Sequence, residues 1–186
     1  MNVEKFIDKY YKENAPLRRI LLLHSQSVAD KAVEIAKEKK LAVDLQFVHD
    51  AAMLHDIGIV MCNAAGIECF GTEHYIRHGL CGGRMLRENA LEMGVTIDEI
   101  EAYARVCERH TGAGLTAKEI KEQGLPLPEE DLLPETLAEK LICYADKFYS
   151  KTRLTDEKSF DHVLRSMQKF GQETVDRFLE LHKQFS

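Results

Sequence analysis

Three separated stretches of the sequence carry residues whose types suit metal binding. His55 and Asp56 are adjacent inside the apolar run Ala51–Ile59, and His24 lies within the apolar stripe of an earlier segment. Asp146 lies in a third apolar segment, where an unpaired carboxylate would be costly and a cation would satisfy it. Two imidazoles and two carboxylates form a mixed nitrogen and oxygen site. Such a site suits Mn, Fe, Co, Ni or Zn better than Mg.

A His-Asp pair by itself is weak evidence, because a core histidine beside a surface aspartate gives the same dipeptide. On a helix His55 shares a face with Val48, Ala51 and Ala52, so it is directed inward. Matching ligand types in two other segments favour the metal interpretation. The sequence therefore predicts that the four residues converge on one metal site.

The elements that must position these residues are predicted to be helices. The chain has four prolines and no extended alternation of β-branched residues, and its apolar positions recur at helical spacing. Asp44 is a fair N-cap for the helix that ends at His55–Gly58, and Gly58 suits the left-handed position past its end. The other predicted helices cover residues 3–14, 16–40, 76–93, 96–110 and 117–123, one that starts at Pro134, and two that Gly171 separates.

This pattern predicts an all-α fold of about seven to nine helices in a single domain, residues 1–186. Loops are expected over Val60–Glu73 and over most of Thr111–Pro134. The second interval is acidic and would suit a lid or a rim, although a solvated loop is the simpler interpretation.

Composition excludes several classes of protein. A formal charge of −6 argues against general affinity for nucleic acid or for anionic membranes. The longest N-terminal apolar run, Ile20–Leu23, is too short to span a bilayer, and no signal peptide is recognisable, so a cytoplasmic location is expected. The five cysteines show no C-x-x-C spacing and are expected to be reduced thiols.

The order of the candidate ligands resembles a known signature. His24, then His55-Asp56, then Asp146 resembles the H…HD…D pattern of the HD superfamily of metal-dependent phosphohydrolases, and Leu54-His55-Asp56-Ile57-Gly58 resembles its HDIG subgroup. The stretches Glu108–Thr116 and Leu133–Lys147 are similar to segments of small, largely uncharacterised HD proteins. The resemblance covers roughly residues 17 to 150, and leaves the C-terminal helices, 158–185, outside this core. It implies an HD-domain helical bundle.

The resemblance also implies roles for two further histidines. His78, in Arg77–Gly83, and His110, before Thr111-Gly112, resemble the third and fourth histidines of the dinuclear HD branch. There both bind a second metal, and an aspartate like Asp56 bridges two ions that lie ~3.5–4 Å apart. The alternative is a one-metal enzyme in which both histidines contact the substrate.

Cations that pair with a substrate anion are expected near these ligands. Arg109 adjoins His110, Lys147 follows Asp146, and Arg153 comes two turns later. The resemblance implies that basic residues after the aspartate assist the phosphate, which favours Lys147 and Arg153. The chain departs from many HDIG phosphodiesterases, which have lysine after the glycine where this chain has Ile59. One expected contributor to transition-state stabilisation is therefore absent.

The implied activity is hydrolysis of a phosphate monoester, diester or anhydride on a nucleotide or another small phosphorylated metabolite. Water activated by one or two divalent ions would attack phosphorus, and Asp56 would orient it. Two alternatives stay open: an HD-fold dinuclear-iron oxygenase with the same six ligands, and a non-catalytic, metal-stabilised nucleotide sensor.

Overall fold

A computed structural model describes residues 2–92 and 94–186, and over these residues the fold is all-α. A two-stranded antiparallel hairpin, β1 (Asn63–Ala64) and β2 (Cys69–Phe70), interrupts the predicted loop after residue 60. The predicted end of the fourth long helix, Met93, lies outside the described residues. The described helices are α1 Val3–Tyr11, α2 Ala15–Glu38, α3 Leu45–Leu54, α4 His78–Asn89, α5 Ile97–Arg109, α6 Ala117–Glu122, α7 Leu137–Asp146, α8 Phe160–Met167 and α9 Gln172–Phe185.

Side-chain caps determine where the helices that carry the site begin. Asp44 accepts hydrogen bonds from the Gln46 and Phe47 amides, at 2.8 and 3.2 Å, and so begins α3 as predicted. Helix α7 begins three residues later than the predicted start at Pro134. Thr136 and Glu139 form a capping box there, which satisfies the first amides of the helix.

Gly58 has a different role from the predicted one. It does not adopt a positive φ but lies in a 3-10 turn, Ile57–Met61, that follows α3. A Cβ at this position would lie 2.1 Å from the His78 carbonyl oxygen and 2.3 Å from the Gly82 amide nitrogen. Glycine is required because the turn after α3 packs directly against the backbone of α4.

The helices that carry the candidate ligands form the centre of the core. Helix α2 packs against α3 and α7, and α4 packs against α5 and against the 3-10 turn after α3. The C-terminal helix α9 packs on α7, where the Phe178 and Tyr144 rings stack with centroids 5.9 Å apart. This packing brings the first residue of α4 and the last residues of α3, α5 and α7 to one buried region.

The acidic interval 111–134 contains a small apolar cluster and forms an ion pair with α9. Leu115, Ile120 and Leu132 form a small apolar cluster within it. Glu119 on α6 is buried and pairs with Arg177 of α9 at 2.7 Å. The interval is therefore anchored through this cluster and α6, while residues 121–124 and 128–131 are exposed. In the described part of the chain, no helix has the length and the apolar character needed to cross a bilayer.

Candidate metal centre

The first ligand group consists of His24, His55, Asp56 and Asp146. Helix α2 supplies His24, the end of α3 supplies the His-Asp pair, and Asp146 is the last residue of α7. Asp56 Oδ2 lies 3.0 Å from His24 Nε2 and 3.1 Å from His55 Nε2. Asp146 Oδ1 lies 3.1 and 3.4 Å from the same two nitrogens. The four ligand atoms all lie within 4.8 Å of one another.

The second ligand group shares Asp56 with the first. Its other members are His78, which begins α4, and His110, which follows the last residue of α5. Asp56 Oδ1 lies 3.4 Å from His78 Nε2 and 3.5 Å from His110 Nε2, and the two nitrogens are 3.0 Å apart. The two oxygens of one carboxylate thus face two different pairs of imidazoles.

Backbone carbonyls orient three of the four imidazoles. His55, His78 and His110 each place Nδ1 at 2.6–2.7 Å from the carbonyl oxygen of the residue three positions earlier. A ring that donates from Nδ1 presents an unprotonated Nε2, which is the form that binds a metal. The helix ends therefore set the direction of these rings and, when a ring is neutral, favour the tautomer with a free Nε2.

The ligand set fits a metal ion in burial and in spacing. All six side chains are buried, and within the described part of the chain Asp56 Oδ1 has no hydrogen bond of standard geometry. Buried polar atoms without such partners indicate a missing ligand. Metal–ligand bonds of ~2.0–2.2 Å place neighbouring ligand atoms ~3.0–3.5 Å apart. Each of the two groups, which together form the ligand cluster, can therefore hold a divalent ion.

In the ligand cluster, the negative charges of two buried carboxylates are balanced by protons and by lysine ammonium groups. Burial opposes protonation of His55, but the Asp56 and Asp146 carboxylates together outweigh it and raise the pKa of His55 to about 9. Burial also opposes ionisation of Asp56, yet Lys151 and His55 hold the pKa of Asp56 well below its usual range. Burial lowers the pKa of His78 to about 3 and also lowers the pKa of His110. These two imidazoles are therefore neutral, as a metal requires.

Lys147, which the sequence suggested as a phosphate contact, pairs with other groups of the protein. It is buried, its ammonium lies 2.6 Å from Asp146 Oδ2, and it donates to the His110 carbonyl oxygen at 2.9 Å. It therefore joins the outer oxygen of a ligand in the first group to the backbone of a ligand in the second.

Arg109 and Arg153 lie apart from the ligand cluster. Arg109 donates to the Leu133 carbonyl oxygen at 2.7 Å and pairs with Glu135 at 2.8 Å. Arg153 is exposed. Among the described residues, no ion pair or hydrogen bond joins either guanidinium to the six candidate ligands.

Sequence reasoning missed Lys151, which lies in the turn after α7. Its ammonium is 2.5 Å from Asp56 Oδ2, and its side chain is 14% exposed. This contact raises the pKa of Lys151, against the effect of burial. Sequence patterns gave little indication that Lys151 contacts Asp56, because the turn after α7 has no helical periodicity. Arg153, in the same turn, is exposed.

Comparison with known proteins places the chain in a family. The family model described as "HD domain" matches residues 21–150. The chain is 34% identical over 149 residues to the uncharacterised protein MJ0778 of Methanocaldococcus jannaschii, covering 78% of this chain and 74% of that protein. The chain therefore belongs to the HD domain family, the metal-dependent phosphohydrolase superfamily.

Two further relatives carry the name tRNA (cytidine(56)-2'-O)-methyltransferase. Those of Picrophilus torridus and Thermoplasma volcanium are each 28% identical, over 171 and 178 residues. The matches cover 90% and 95% of this chain but 42% and 44% of the relatives, so the chain spans less than half of their length. No solved structure matched the chain.

Proposed function

We propose that this protein hydrolyses a phosphate ester or anhydride of a nucleotide or another small phosphorylated metabolite, with two divalent ions. The observation that carries the proposal is the arrangement around Asp56. One of its oxygens faces His24 and His55, and the other faces His78 and His110. A carboxylate shared in this way suits two neighbouring ions better than one.

The residues of the chain would divide the work as follows. When bound, the ions supply activated water and positive charge toward the phosphoryl oxygens. The four imidazoles and two carboxylates hold that charge in place, and Asp56 orients the attacking water between the two groups. Lys147 holds Asp146 and the end of α5 in fixed positions relative to each other. Because the carbonyl contacts of the rings are already made, this arrangement is organised before the substrate binds.

The test begins with metal analysis of protein purified without chelators. The metal-bound protein is then screened for phosphate release from nucleotides and from sugar phosphates, with oxygen uptake recorded on the same compounds. We expect about two ions per chain and phosphate release that a chelator abolishes and Mn²⁺ restores. Oxygen uptake without phosphate release would assign the same ligands to an oxygenase instead. Tight nucleotide binding with neither reaction would assign them to a sensor.

A further inference from the structure

Lys151 is a mostly buried cation that the proposed division of roles does not use. Its ammonium lies against Asp56 Oδ2 at 2.5 Å, on the side of the first ligand group. The family match ends at residue 150, so Lys151 lies just beyond the matched region. Ile59, where the resemblance led us to expect a lysine, is fully buried and cannot supply a charge. The turn after α7 thus places a lysine ammonium beside Asp56, whereas position 59 has no charged side chain.

An open cleft is lined in part by Lys151, the residue whose ammonium contacts Asp56. Its volume is about 410 Å³, which falls within the range of small-molecule sites. Apolar groups of the hairpin region and the ring of Tyr75 form part of its lining, and two hydroxyl side chains from the turn after α7 complete it. Besides Lys151, these lining residues include Ala64, Ile67, Tyr75, Ser150 and Thr152.

We propose that Lys151 binds the phosphoryl group of the substrate, and that the cleft holds the leaving group. This proposal rests on the proposed hydrolase function. The mixed lining favours a leaving group with a flat apolar face and hydroxyl groups, the combination that a nucleoside carries. Lys151 would then contact the substrate directly, whereas Lys147 positions ligands.

The difference between the two lysines follows from their partners. Lys147 holds both a carboxylate oxygen and a backbone carbonyl, so its ammonium is satisfied inside the protein. Lys151 pairs with an Asp56 oxygen that is also a candidate metal ligand. When a cation satisfies Asp56, the attraction that holds the Lys151 ammonium weakens, and the ammonium can pair with a phosphate oxygen at the edge of the cleft.

Lys158 fixes the turn that presents Lys151. Its ammonium donates to the carbonyl oxygens of Lys147 and Tyr149, at 3.0 and 2.7 Å, and its amide donates to the Phe148 carbonyl at 2.8 Å. The turn between α7 and Lys151 is therefore held by three hydrogen bonds from one residue. A turn that is held in this way places the Lys151 side chain without help from a regular helix.

The first experiment measures binding of inorganic phosphate to the Mn²⁺-loaded protein by calorimetry, together with Mn²⁺ content. Lys151→Met removes the charge and keeps the apolar stem. Lys118→Ala serves as the control, because Lys118 is exposed and pairs with Glu173 at the surface. We expect phosphate affinity to fall about 10- to 100-fold in Lys151→Met, as for loss of a bond to a charged group, with Mn²⁺ content unchanged. Lys151→Arg should retain most of the affinity.

Two results would overturn the role of Lys151. Unchanged phosphate affinity in Lys151→Met would remove it from the anion site. Loss of Mn²⁺ together with phosphate would mean that Lys151 supports Asp56 and not the substrate. Because binding needs no turnover, a Lys151-dependent phosphate site in a protein that hydrolyses nothing would reject the hydrolase and retain the anion site.

A second experiment tests the cleft through Gly66. Gly66 lines the cleft and is exposed, and a Cβ added there meets no atom within 4 Å, so a side chain can begin at this position without a clash. Gly66→Leu and Gly66→Trp should progressively weaken binding of a nucleoside monophosphate (AMP), while inorganic phosphate binding stays the same. Unchanged AMP affinity in both variants would place the leaving group elsewhere.

Discussion

Asp56 is central because each of its carboxylate oxygens faces a different pair of imidazoles. The four oxygen–nitrogen distances are 3.0 to 3.5 Å, and the side chain is fully buried. Its ionised state depends on neighbouring positive charge, from Lys151 and His55 in the absence of metal. A single residue therefore belongs to both ligand groups.

Asp56→Ala should remove metal from both groups and abolish phosphate release. Because it removes a shared ligand together with the group that orients water, the loss of rate should exceed the ~10²–10³-fold that follows loss of one positioned donor. Metal content and phosphate release measure the two effects. Asp161→Ala, which removes an exposed carboxylate from α8, is the control. Undiminished phosphate release from metal-free Asp56→Ala protein would end the assignment.

Lys147→Met should weaken Mn²⁺ binding by about 10- to 100-fold, which is typical of losing an outer contact to a ligand. The reason is that Asp146 and the His110 backbone would both lose the ammonium that holds them. Calorimetric titration with Mn²⁺ measures the change. Lys147→Met is thus expected to lower Mn²⁺ affinity, whereas Lys151→Met is expected to lower phosphate affinity. Loss of phosphate affinity with intact Mn²⁺ affinity in Lys147→Met would instead mean that Lys147 contacts the substrate.

At the scale of elements, the contact between the turn after α3 and helix α4 brings the two ligand groups together. Gly58 allows this contact because a Cβ at its position would overlap the backbone of His78 and Gly82. Asp56 precedes this glycine by two residues, and His78 begins the helix on the other side. The distance between the two groups thus depends on the absence of a side chain at one position.

Gly58→Ala should destabilise the fold by about 2–3 kcal/mol, because a Cβ 2.1 Å from a backbone oxygen forces the elements apart. It should also lower Mn²⁺ content by moving His78 away from Asp56. Urea unfolding measures the first effect. Gly66→Ala is the matched control, since a Cβ there meets nothing within 4 Å. Equal stability of the two variants would contradict the close contact.

The pair Glu119–Arg177 should make part of the stability dependent on pH. Burial opposes ionisation of Glu119, but hydrogen bonds from Arg177 and Thr116 outweigh it and lower the pKa of Glu119. A folded pKa below the unfolded value of ~4.3 gives stability that is complete above that pH and is lost as pH falls through the folded pKa. The free energy of unfolding should therefore differ between the wild type and Glu119→Gln at pH ~6, and this difference should shrink by pH ~3. A difference that does not change with pH would reject the charged pair as its cause.

For the whole molecule, metal binding should contribute directly to stability. An ion that binds the folded state alone stabilises it by ~2.7 kcal/mol at a hundredfold excess over its Kd. We expect Mn²⁺ to raise the melting temperature of metal-free protein, and a chelator to reverse the change. Scanning calorimetry measures it. Ca²⁺ at equal concentration is the control and should have a smaller effect, because it prefers oxygen ligands to imidazoles. An equal effect of both ions would indicate binding at surface carboxylates.

The sequence by itself determined the helical class, most helix limits and the candidate ligands, and the HD resemblance agreed with the family match. These features depend on local interactions. Apolar spacing along one helix and caps such as Asp44 and Thr96 act over three or four residues, so they can be recognised in the chain. The roles of the site residues remain predictions, and the structure brings five of the candidate ligands together around the sixth, Asp56.

Tertiary structure decided what each charged residue contacts. Arg109 and Lys147 both adjoin candidate ligands in sequence, yet one points to Glu135 and the other joins two ligands. Lys151 comes from an aperiodic turn and reaches Asp56, 95 positions earlier in the chain. Gly58 was expected to end a helix by a left-handed conformation, and instead it allows the backbone of α4 to pack closely against the turn after α3. Such contacts depend on how separate elements pack, and no short-range pattern in the chain encodes them.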